Sequence, residues 1–249
     1  MPHTSQNNES FTWLGVFGHP DDETSASAGT MVKWIEAGNE VYIVTATGGE
    51  EGTLGTGGQI IEREKLGSVR EAELKRNLNL YGANPPFLLR YRDQDLDKED
   101  PHILSLKVLD IMHLVEPDIV VTFGPSGISN HPDHIAIHKA TLLAFEGYSE
   151  NTQSREKPLL MFPSIPQDLA QEFGLDLSDE EKRLDIIVDI TSSIDMKVKG
   201  LRNYQSQEDA QELASRFSEQ EQHRESFAVS ELTTANWKES NLIRYLNNL

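Results

Sequence analysis

"FTWLGVFGHPDDETSASAGTMVKWIEAG", residues 11–38, decides how the rest of the chain is read. Residues 11–18 form a short apolar run of the kind that makes a buried strand. Residues 25–38 have helical spacing and close on a glycine, where helices commonly stop. Between them stand a histidine, a proline and three consecutive acids, His19-Pro20-Asp21-Asp22-Glu23. That much negative charge on one turn calls for a neutralising partner.

The strand-then-helix unit recurs along the chain. Strands are expected at 40–47, 86–93 and 118–124, and helices at 62–83, 101–116 and from Pro132 to about Gly147. Such alternation predicts parallel βαβ units and an α/β fold: a Rossmann-like three-layer sandwich around a mostly parallel sheet. Further on, residues 148–157 read as a surface loop, and "PLLMFPSIP" as a strand limited by its prolines. Residues 183–190 read as a strand, followed by two helices, the first opened by a Ser192–Asp195 capping box. No repeat or linker marks a boundary, so 1–249 is expected to be one domain with residues 1–10 as a flexible tail.

Composition narrows the function. Forty-one acids against 22 bases give a net charge of −19, which repels nucleic acid and anionic membrane surfaces. Cysteine is absent, so any metal must be held by His, Asp and Glu. No secretory leader or span of ~18 apolar residues is found, and a cytoplasmic protein is expected. The glycine-rich stretch 47–58 lacks the endings of nucleotide-binding loops and reads as a mobile loop beside the site.

In a doubly wound sheet, ligands bind beyond the carboxyl ends of the strands where strand order reverses, between strands 1 and 4 in the order 3-2-1-4. "GPSGISNHPDH", residues 124–134, follows strand 4 and repeats His-Pro-Asp. His19, Asp21, Asp22, His131, Asp133 and His134 are thereby expected around one crevice. Singly, each motif is an ordinary proline-led, acid-rich helix start. Jointly, acids and histidines crowded at one sheet edge need a cation. Zinc suits imidazole and carboxylate without thiolate, with Fe2+, Co2+ or Mn2+ as substitutes. A two-His-one-Asp ligand set is available. His138 is expected to be structural, and His3, His102, His113 and His223 lie outside the crevice.

"GHPDDE" and "HPDH" together resemble the signature segments of the LmbE-like (PIG-L) zinc-dependent de-N-acetylases, which act on N-acetylglucosamine conjugates. "VTATGGEEGT", "REAEL" and "KGLRNYQSQ" support the resemblance. It implies metal ligation by His19, Asp22 and His134, and a general base at Asp21. It also implies stabilisation of the tetrahedral intermediate by a protonated His131, orientation of that ring by Asp133, and substrate contact by Arg70. One departure is Tyr204, where the family often has histidine. The expected partner is a small amino-sugar conjugate, with homo-oligomerisation left open. Alternatives are hydrolysis of another amide or ester, and a non-catalytic metal- or sugar-binding module.

Overall fold

The computed structural model describes residues 10–152, 157–233 and 236–249; the expected tail, apart from Ser10, lies outside them. Among the described residues, seven strands form one sheet in the order β3-β2-β1-β4-β5-β7-β6. β1 (Thr12–Phe17) and β4 (Ile119–Thr122) are adjacent and parallel, as the strand-order argument requires. β2 (Glu40–Thr47) and β3 (Phe87–Tyr91) continue the parallel half on one side, and β5 (Leu159–Ser164) on the other.

Helices follow the strands for the reasons visible in their sequences. α1 (Asp22–Glu36) begins with acids at its positive end, and α2 (Arg63–Tyr81) stops at Gly82 in the left-handed conformation. α3 (Pro101–Val115) is capped by the Asp100 side chain and starts on proline. A short turn, α4 (Gly127–Asn130), precedes α5 (Pro132–Asn151), which also starts on proline. α5 runs four residues beyond Gly147, so the first part of the expected 148–157 loop is helical; residues 153–156 lie outside the described chain. α3 and α5 pack together on one face of the sheet, and α1 packs with α2 and α7 on the other.

The C-terminal part departs further from expectation. α6 (Gln167–Glu172) precedes β6 (Ile186–Asp189), and α7 (Ile194–Asn203) and α8 (Glu208–Glu219) follow it. β7 (Arg224–Val229) then inserts antiparallel between β5 and β6, in a segment whose start reads from sequence as the end of a helix. Pro163 lies inside β5 rather than limiting it; it falls beyond the last pairing with β4, Val121 with Met161, where a missing N–H costs that ladder nothing. The capping box at Ser192 does not form. Ser193 is the residue before α7, and its hydroxyl donates to Gly29 O at 2.8 Å and to Ile190 O. A last helix, α9 (Asn241–Leu246), closes the chain.

Candidate active site

The two His-Pro-Asp segments meet at the carboxyl ends of β1 and β4. His19 Nδ1 lies 3.0 Å from His134 Nε2 and 3.6 Å from Asp22 Oδ2, and His134 Nε2 lies 3.4 Å from Asp22 Oδ1. Donor atoms around a tetrahedral zinc with bonds of ~2.0–2.1 Å are ~3.3 Å apart, so this triangle has the spacing of a zinc ligand set. The nitrogens point inward because their ring partners are engaged. His134 Nδ1 faces Gly127 O at 3.0 Å, which assigns the proton there and leaves the Nε2 lone pair free. His19 Nε2 faces Asp93 Oδ1 at 3.0 Å and Asp133 Oδ2 at 3.3 Å, leaving Nδ1 for the centre.

Two other groupings of donors exist among the described residues. His19, His131 and His134 are mutually close, as are His19, Asp93 and Asp133. The second is already used by backbone: Asp133 accepts N–H bonds from Gln94 at 2.8 Å and Leu96 at 3.1 Å, and Asp93 accepts one from Glu51 at 2.9 Å.

Charge follows these contacts. Burial pushes the His19 imidazole down, but its bonds to Asp133, Asp22 and Asp93 more than offset this and hold it well above its usual range. Burial raises Asp22, yet His134 and His19 bring its carboxyl down to about 2. Burial lowers His134. Asp21 differs: burial raises its carboxyl well above the ordinary range despite the opposing charge of Arg70.

Asp21 occupies the residue before α1 with φ of 107°, a left-handed conformation that costs a non-glycine residue ~1–3 kcal/mol. Its surroundings hold it there. Arg70 Nη2 donates to Asp21 Oδ2 at 2.8 Å and to Pro20 O at 2.6 Å, and Nη1 donates to Gly49 O at 2.9 Å. Arg70 is buried, so the side chain expected to touch substrate is instead directed at Asp21 and two carbonyls. A Cβ at Gly49 would lie 2.2 Å from Arg70 Nη1, and its φ is +62°; glycine is required there on both counts. The loop expected to be mobile is tied down at Gly49, at Glu51 and at Thr53, whose N–H reaches Gln207 Oε1.

Glu23, the third acid of the motif, is fully buried and accepts the Asp21 N–H at 3.1 Å and the Tyr204 hydroxyl at 2.7 Å. Tyr204 therefore braces the turn from behind.

In the second motif, His131 Nδ1 accepts the Asp133 N–H at 3.2 Å and so caps α5. This corrects one expectation. The Asp133 carboxylate orients His19 rather than His131, because it turns back to the N–H groups of 94 and 96. The Nδ1 lone pair of His131 accepts the Asp133 N–H, and burial, together with the charge of His19, lowers the pKa of the ring. His138 bonds Phe123 O at 2.7 Å within the core.

Two carboxylates that shape the site, Asp93 and Glu181, are not among the residues expected there from sequence. Asp93 had a signal, since it ends a strand segment at the sheet edge where ligands gather. Glu181 had none. It comes from a charged run and is fully buried, accepting from Ser126 N at 3.0 Å, Ser126 Oγ at 2.5 Å, Ile128 N at 3.1 Å and Ser178 Oγ at 2.6 Å. It thereby fixes the loop leading into the second motif.

Comparisons with known proteins find relatives of this chain and of its fold. A 1D-myo-inositol 2-acetamido-2-deoxy-alpha-D-glucopyranoside deacetylase from Mycobacterium sp. (strain KMS) is 29% identical over 78% of this chain and 73% of its own length. Among solved structures, an N,N'-diacetylchitobiose deacetylase from Pyrococcus horikoshii matches with a TM-score of 0.66 at 21% identity, covering 90% of this chain and 85% of that one. A 4-carboxy-2-hydroxymuconate hydratase from Pseudomonas putida matches with a TM-score of 0.65 at 18% identity, covering 88% of this chain and 95% of that one, so the fold alone does not name a reaction. The family model described as "PIG-L: GlcNAc-PI de-N-acetylase" matches residues 14–145, more than half of the sequence, and the chain belongs to that family.

Proposed function

We propose that this protein is a zinc-dependent hydrolase that removes the N-acetyl group from an N-acetylglucosamine conjugate. The observation that carries this reading is the convergence of His19 Nδ1 and His134 Nε2, 3.0 Å apart, on the Asp22 carboxylate, whose Oδ2 lies 3.6 Å from the first and Oδ1 3.4 Å from the second, the spacing of a divalent ligand set. His19, Asp22 and His134 would hold the ion, which supplies a Lewis acid for the amide carbonyl and makes water a nucleophile near neutral pH.

The remaining roles belong to side chains around that triangle. Asp21 is next to a ligand but faces Arg70, and its raised pKa suits a group that accepts a proton and returns it to the departing amine. Arg70 fixes the rotamer of Asp21 and keeps part of its charge compensated. The His131 Nε2–H is a donor for the oxyanion that develops on the carbonyl, and its neutral form leaves the centre without an added positive charge. Acetate and a free amine are the products.

The test is a panel of N-acetylglucosaminyl compounds incubated with zinc-loaded protein, scored for amine and acetate together. The reading expects the two in equal amounts from at least one compound. Protein that holds zinc and releases neither from any of them would favour a binding module or hydrolysis of another bond.

A further inference from the structure

The cavity that opens on Asp21, Asp22 and His134 is larger than the chemistry at that corner needs. Its volume is about 700 Å3, within the ~300–1,000 Å3 of pockets that enclose drug-sized ligands. Its wall passes from Phe123 after β4 across Pro163 on β5 and Ser226 on β7 to Ile187 on β6. From β1 to β6 the sheet crosses four strand intervals of ~4.8 Å, or ~19 Å. A pyranose ring takes up only ~6 Å of that, the reach of four C–C bonds.

What lies beyond the sugar is a mixed wall with a continuous apolar part. α6 and the residue after it contribute Leu169 and Phe173, α8 contributes Leu213 and Phe217, and the edge of the sheet contributes Leu184 and Ile187. Leu184 and Ile187 are 42% and 44% exposed, apolar groups left wet on the wall of a hollow. Asp209, Glu212 and Arg224 also line the hollow, and two further charges on its wall are engaged with neighbouring groups. Lys197 Nζ donates to Glu225 Oε1 at 2.6 Å and to Ser25 O at 2.8 Å, and the Arg216 guanidinium lies 4.5 Å over the Phe173 ring. That stacking draws α8 towards the end of α6 and roofs the hollow. The net charge of −19 opposes an arm carrying phosphate.

We infer that the conjugate acted on here is amphiphilic: an N-acylated amino sugar bearing an uncharged, extended apolar arm that lies against Leu213, Phe217 and Ile187. This rests on the hydrolase reading above, and it adds what that reading leaves open. The arm is attached either through the aglycone or through the acyl group, and the two attachments are separable by experiment.

Calorimetry on the zinc-loaded protein compares methyl, butyl and octyl N-acetylglucosaminides with methyl glucosaminides carrying acetyl, butanoyl and octanoyl groups. Affinity is expected to rise about fourfold per buried methylene in one series. Ile187→Glu flattens that slope, whereas Ile187→Leu keeps it; thermal unfolding of both variants confirms that they are folded. Equal affinity for short and long members in both series overturns the inference, as does a slope unaffected by Ile187→Glu. Binding is read without turnover, so the two readings fail separately. Absence of acetate release with an intact slope counts against the hydrolase alone, and acetate release with a flat slope counts against the apolar arm alone.

Discussion

His19-Pro20-Asp21 and His131-Pro132-Asp133 spell one tripeptide at the ends of neighbouring strands, and they differ in where the helix begins. In the first, the helix starts at Asp22, so Asp21 stands before it in a left-handed conformation and His19 points into the centre. In the second, the helix starts on Pro132, two residues earlier in the motif, and His131 takes the capping position. The shift exchanges the roles. The first aspartate is presented beside the ligand triangle, while the second is buried behind His19 and the inward-facing imidazole moves to His134. Identical residues thus do different chemistry because the helix start sets which side chains face the crevice.

Exchange of roles is what mutation tests first. Asp22→Ala is expected to abolish both metal binding and hydrolysis, measured by metal analysis and acetate release. Asp21→Ala is expected to keep the metal and lose ~10²- to 10⁴-fold in kcat, the usual contribution of a general base. If the two variants lose metal equally, the contrast drawn between the neighbouring aspartates is wrong.

On the second motif the effects are smaller. His131→Ala should cost ~10²- to 10³-fold in kcat at unchanged metal content, the scale of a lost oxyanion donor. Asp133→Ala and Asp93→Asn, which act behind His19, should instead weaken metal affinity ~10- to 100-fold, read by competition with a chelator. A metal-neutral Asp133→Ala would remove the distinction between the two motifs.

The smallest expected effect concerns the loop that carries the second motif. The hydroxyl and amide donors of Ser126 and Ser178 outweigh burial and hold the Glu181 carboxyl below its usual 4.5. A carboxyl lowered on folding stabilises the native state above its unfolded pKa, and that stabilisation fades as pH falls through the folded one. Glu181→Gln should therefore cost ~2–3 kcal/mol near neutrality, the scale of lost bonds to a charged group. The gap in Tm between variant and parent should close below pH about 4.5. A gap independent of pH would show that the charge is not what holds the loop.

Much of this was legible because the ligand residues sit in local clusters directly after strands. Strand order then brings β1 and β4 together, and the helix starts carry proline and acids. The buried supports were not legible for the opposite reason. Glu181 stands in the acidic stretch "DLSDEEK" and Glu225 at the end of a segment that reads as a helix, while Asp93 offers only its place at the end of an expected strand. Each is buried by partners distant in sequence: Glu225 meets Lys197 at 2.6 Å and the N–H of Thr30 at 2.7 Å. The same polar ends hid β7, whose start looked like the tail of α8. The conformation at Asp21 was equally hidden, since it depends on Arg70, 49 residues away.

The most direct test of the shared centre is a crystal structure of the zinc-soaked protein with anomalous data at the zinc edge. The account predicts one strong peak at bonding distance, ~2.0–2.2 Å, from His19 Nδ1, His134 Nε2 and an Asp22 oxygen. A peak bound through His19 Nε2, Asp93 and Asp133, or none near His19, would contradict it.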